Sequence, residues 1–107
     1  MFETEIAPAR TFCTEAEAVE LKKLGVGLGA NYENTLVISE NGIVRNNFRF
    51  DDECVRHKVL DLVGDLNLVG FPVLAHVIGL RSGHSLNKKL ADAISVQRHE
   101  EKKKRAL

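Results

Sequence analysis

Four side chains in this sequence stand where chemistry is possible. His57, Asp61 and Asp65 follow one another at four-residue steps, and His84 opens a later segment directly after Arg81-Ser82-Gly83. On a helix, four-residue steps place side chains along one face, each a turn above the last. An imidazole and a carboxylate one turn apart can grip a divalent ion from a single helix, as two histidines do in zinc helices of the HExxH type. The same spacing also describes an ordinary intrahelical His–Asp pair, and spacing alone leaves both readings open. Two ligands do not complete a zinc site, which needs three protein ligands and an open position. Asp65 adds a carboxylate of the kind that accompanies metal-bound or catalytic histidines. His84 at a helix start lies at the positive end of the helix dipole, which disfavours imidazolium, so an acid role there requires a nearby carboxylate; Asp65 is the expected supplier. Otherwise His84 is a solvated residue of the cap region. His76, mid-strand, and His99, in the charged tail, are poorly placed to contribute.

Three further residues could touch a ligand. Thr11 and Phe12 end an expected strand, offering a hydroxyl and a ring, with a core role the plain alternative for Phe12. Lys58 follows His57 and could reach an anionic group, although most helix lysines simply face water.

The stretch that must carry His57, Asp61 and Asp65 is 51–69. Val55, Val59, Leu62, Val63, Leu66 and Val69 recur at three- and four-residue steps, the apolar stripe of a helix. Asp51 or Asp52 can cap its first turn, and the acidic cluster suits the positive end of the dipole. Yet two carboxylates four residues apart repel by about 0.2–0.5 kcal/mol when exposed, and Gly64 costs about 1 kcal/mol relative to alanine. A cation is therefore expected to face Asp61 and Asp65, and a close neighbour to pack on Gly64.

Around this helix the chain reads as follows. Residues 3–12 are strand-like, bounded by Pro8. Thr14 with Glu17 makes a capping box for a short helix that ends at Gly25 with Lys22 and Lys23 in its last turn. Residues 25–30 (GVGLGA) lack the Lys-Ser/Thr of a phosphate loop and the third glycine of a dinucleotide turn, which leaves a connector. Residues 34–39 and 43–50 form a hairpin about Asn41-Gly42. Residues 72–80 are a mostly apolar strand, and a last helix covers about 84–99, followed by a charged tail at 99–107. The expected class is α+β, a two-layer sandwich with helices on one face of a mixed sheet. Its core looks undersized, as if strands on the N-terminal side were missing.

Composition narrows the rest. With 107 residues, 15 basic and 15 acidic, the chain is one small domain or part of one, with no net charge to attract nucleic acid. The basic run Lys102–Arg105 has no aromatics interleaved, which weakens a nucleic-acid reading further. Cys13 and Cys54 are too few for a disulfide framework and form no CxxC pair, which points to reduced thiols and a cytoplasmic setting. No apolar run approaches the roughly 20 residues of a membrane span, and the N-terminus has no signal-peptide core.

The segments Ala9–Phe12 (ARTF), 49–66 (RFDDECVRHKVLDLVGDL) and 81–87 (RSGHSLN) together resemble the UDP-3-O-acyl-N-acetylglucosamine deacetylases, zinc-dependent enzymes of lipid A biosynthesis. The resemblance runs from Glu5 to about Ile94 and corresponds to the C-terminal part of the family's second domain. It implies that His57 and Asp61 are two of three Zn2+ ligands and that His84 is the general acid, oriented by Asp65. It further implies that Thr11 helps hold the tetrahedral oxyanion, that Phe12 lies against the UDP-linked acylated glucosamine substrate, and that Lys58 approaches its diphosphate. Residues 13–35 would be the insert shaping the passage for the acyl chain. The third zinc histidine and the glutamate base come, in that family, from a preceding N-terminal domain absent from this sequence. The chain alone is therefore expected to be inactive. The competing expectation is a non-catalytic fragment acting as an interaction module.

Overall fold

The computed structural model describes residues 1–106. In chain order it contains α1 (Phe2–Glu5), β1 (Thr11–Thr14), α2 (Glu15–Lys23), β2 (Thr35–Ser39), β3 (Gly42–Ile43), α3 (Glu53–Leu66), a 3-10 turn (Asn67–Val69) and α4 (His84–Ala106). The α+β class expected from the sequence is the one observed. The described residues gather into two compact units, one over Met1–His57 and one that begins at Lys58, with α3 contributing to both.

The first unit is a three-stranded mixed sheet in the order β1-β2-β3. β1 and β2 are parallel, with Thr11 opposite Thr35 and Phe12 opposite Leu36; β2 and β3 are antiparallel, with Ile38 opposite Ile43. Parallel neighbours need a crossover connection, and α2 supplies it, packing on both strands. The predicted capping box is present: Thr14 Oγ1 accepts from Glu17 N–H at 3.2 Å, and Glu17 returns a carboxylate oxygen to Thr14 N–H at 2.8 Å. The hairpin turns at Gly42, whose φ of 113° only glycine adopts without strain. The core of this unit is small: Leu36 is fully buried, joined by Val37 and Ala9.

Two sequence expectations fail here. The strand expected over 3–12 is a helical turn at its start, and only Thr11–Thr14 pairs in the sheet. The reason lies in Arg10, whose backbone and side chain bond to a carboxylate rather than to a ladder. The second hairpin strand is two residues long rather than eight. Past Ile43 the backbone turns, with Arg45 at a φ of 54°, and the peptide groups of 47 and 49 bond to side chains instead.

In the second unit the helix expected over 51–69 ends where its length required. Gly70 takes a left-handed φ of 79° and closes the 3-10 turn that follows α3. The last helix runs further than expected, to Ala106, and carries Lys103, Lys104 and Arg105 in its final turn, where cations suit the dipole. The strand expected over 72–80 is irregular chain outside any sheet. No described residue from Lys58 onward forms a strand, so this segment has no ladder to join, and a lone strand leaves its peptide groups to water. Its side chains are correspondingly exposed, Leu74, Ile78 and Leu80 among them.

Candidate active site

α3 carries His57, Asp61 and Asp65 at successive turns, as the periodicity required. Its environment differs along its length: His57 belongs to the first unit, Asp61 and Asp65 to the second.

At the N-terminal end, in the first unit, His57 Nδ1 lies 2.8 Å from the carbonyl oxygen of Ala9. A carbonyl can only accept, so Nδ1 carries a proton, and in the neutral ring this contact selects the tautomer with its lone pair on Nε2. A histidine whose second nitrogen donates to a carbonyl is the usual form of a metal-binding imidazole. Thr11 and Phe12, two and three residues beyond Ala9, begin β1; Thr11 is exposed and Phe12 half-buried.

In the second unit, His84 is the first residue of α4, and the turn into it places Arg81 at a left-handed φ of 51°. Its Nδ1 stands 2.7 Å from Asp65 Oδ2, and its Nε2 lies 3.7 Å from Asp61 Oδ2. The group opposite the two acids, where a cation was expected, is His84, cationic when protonated. The Asp65 hydrogen bond, then the Asp65 charge, then that of Asp61 hold the imidazole pKa above its ordinary value, against a small opposing effect of burial and of Lys58. Asp65 in turn is held below the usual carboxylate range, first by Asn87 Nδ2 at 3.0 Å and then by His84. Both shifts favour an imidazolium–carboxylate pair, and the imidazolium is three-quarters exposed. A group so placed can give a proton to a basic atom brought against it. The groove beside it, about 330 Å³, is lined by Asp65, Leu68, His84, Lys88 and Asp92 among others.

The close neighbour expected at Gly64 is not there: a Cβ added at this exposed position would meet nothing within 4 Å. Among the described residues, no group of three or more His, Cys, Asp or Glu side chains is placed to hold a metal ion. The donors on α3, an imidazole with Nδ1–H engaged and a carboxylate four residues on, fit half of a tetrahedral zinc set and no more.

Sequence reasoning passed over three residues. Asn87 is buried one turn after His84 and binds the same Asp65 oxygen, an i, i+3 signal that was legible in residues 84–87. Arg10 and Glu53 are buried partners 43 residues apart, and no local pattern reveals such a pairing.

A family model for UDP-3-O-acyl N-acetylglycosamine deacetylase matches residues 1–96. Among curated proteins named UDP-3-O-acyl-N-acetylglucosamine deacetylase, that of Syntrophotalea carbinolica is 47% identical over 94 residues, covering 87% of this chain and 30% of the relative. The Thermosynechococcus vestitus protein is 48% identical over 95 residues (89% and 33%), and the Aquifex aeolicus protein 45% over 94 residues (87% and 33%). The chain spans about a third of the length of the curated relatives it matches.

Proposed function

The chain belongs to the UDP-3-O-acyl-N-acetylglucosamine deacetylase family, and from that premise we propose that it supplies part of the active site for zinc-dependent hydrolysis of the substrate's acetamide, a reaction of lipid A biosynthesis in the cytoplasm. The observation that carries the reading is His84 held by Asp65 at 2.7 Å, with Asp61 on its other nitrogen, in a chain of this family. His57 and Asp61 would hold the zinc ion. When bound, zinc supplies Lewis acidity to an amide carbonyl and lowers the pKa of water to about 7.

The remaining work falls to the chain's own side chains. His84, whose pKa Asp65 raises, delivers a proton from its imidazolium form to the departing glucosamine nitrogen, which leaves as a neutral amine. Asp65 keeps the ring in the orientation that transfer requires, and Asn87 fixes Asp65. Thr11 contributes its hydroxyl to the oxyanion of the tetrahedral intermediate. Phe12 lies against the substrate, Lys58 meets its diphosphate, and residues 13–35 shape the acyl passage. The third ligand and the general base belong to the N-terminal part of the relatives, which this sequence does not include. The fragment is accordingly inactive by itself and binds zinc weakly.

The test is complementation. The chain is mixed with a separately prepared N-terminal half of a relative, and release of acetate from UDP-3-O-acyl-N-acetylglucosamine is followed with and without zinc. Zinc-dependent activity from the mixture, and none from either part, is the expected result. Activity of the chain by itself, or tight one-to-one zinc binding to it in calorimetry, would overturn the reading.

A further inference from the structure

Glu53 is the most enclosed charged side chain of the first unit, with no exposed surface, and the reaction outlined above does not use it. Its Oε2 accepts from both the backbone N–H and the Nε–H of Arg10, each at 2.9 Å, and its Oε1 accepts from the backbone N–H of Arg49 at 2.7 Å and from Arg10 Nη2 at 3.2 Å. Burial pushes this carboxyl up, but the Arg10 and Arg49 hydrogen bonds outweigh it and bring its pKa down to about 2, so it is fully ionised. The N–H of Arg10 and the C=O of Ala9 are the two ends of one peptide group. Glu53 holds the first end, and His57, one turn further along α3, holds the second at 2.8 Å.

A peptide group is planar and stiff. Fixing its N–H fixes the direction of its C=O, and a carboxylate on the N–H polarises the carbonyl into a stronger acceptor. The neighbouring contacts secure the same strip of chain: Arg49 Nη1 donates to Pro8 O and Arg56 Nη1 to Glu5 O, both at 2.8 Å. We infer that Glu53 is a positioning residue, which acts through the Ala9–Arg10 peptide to set the tautomer and orientation of the His57 ring. This rests on the reading of His57 as a ligand that offers Nε2, but its test does not require metal.

The experiment observes the imidazole nitrogens of the intact, metal-free chain by nitrogen-15 NMR. In the unaltered chain His57 is expected as the Nδ1–H tautomer. In Glu53→Gln the ionic acceptor is lost, and His57 is expected to become a mixture of tautomers. With the N-terminal half added, zinc affinity is expected to fall about 10- to 100-fold. Because Glu53→Gln leaves the Arg10 guanidinium buried without its anion, a second variant, Arg10→Met with Glu53→Leu, removes both charges at similar volume; the same tautomer mixture is expected. A folded variant in which His57 keeps the Nδ1–H form overturns the inference. So does collapse of both variants, since the network would then hold the fold and not the ring. Failure of the zinc reading looks different: the tautomer responds to Glu53 as stated, but the complemented chain takes up no zinc.

Discussion

Two carboxylates on one helix, Glu53 and Asp65, have been given opposite surroundings. Glu53 is sealed from solvent and its oxygens meet four donors. Asp65 keeps about a fifth of its side-chain surface in water and shares one oxygen between Asn87 and a largely exposed imidazole. The first arrangement costs several kcal/mol in desolvation and returns it only if every lone pair is met, so it suits a rigid joint. The second leaves an imidazole where another molecule can reach it. On the proposed function, the contrast separates a group that holds backbone from a group that serves the reaction.

The largest effect that would sharpen this contrast is on activity. In the complemented enzyme, His84→Ala is expected to lower kcat by about 10²- to 10⁴-fold with little change in the urea midpoint; a large loss of stability without loss of rate would erase the distinction. Glu53→Ala should, besides weakening zinc uptake, destabilise the chain by about 3–5 kcal/mol because the Arg10 guanidinium is left buried and unpaired, as read from urea unfolding.

Acid titration addresses the same pair. Glu53 has a folded pKa of about 2 against an ordinary 4.5, so its contribution is complete above pH 4.5 and disappears as the pH falls through 2. That contribution is on the order of 3 kcal/mol. Unfolding free energies measured between pH 6 and pH 2 are expected to fall in this window in the unaltered chain and to flatten in the Arg10→Met, Glu53→Leu variant. The smallest effect is at Asn87. Its replacement by alanine removes a hydrogen bond to a charged group, about 1.5 kcal/mol, and should lower kcat through Asp65 while leaving substrate KM nearly unchanged.

How much of this could be read from the chain depends on range. The Thr14–Glu17 capping box, the turn at Gly42, the stop at Gly70 and the start of α4 at His84 follow from residues a few positions apart, and each lies where the sequence indicated. The ion pair of His84 with Asp65 was legible in part, because two acids one turn apart demanded a cation. The Arg10–Glu53 pair was not, since its members are separated by 43 residues and each alone resembles a surface charge. The strand expected at 72–80 has the composition of one, but a strand is defined by its neighbour, and composition does not say whether the neighbour is in the same polypeptide.

That unpaired run has a practical consequence. Leu74, Ile78 and Leu80 present bulky aliphatic groups to water from chain that belongs to no sheet, the condition in which identical segments pair with one another. Preparations of this polypeptide by itself should therefore tend to self-associate through residues 73–80, and a lysine at Leu74 or Ile78 is the simplest means of keeping it dispersed.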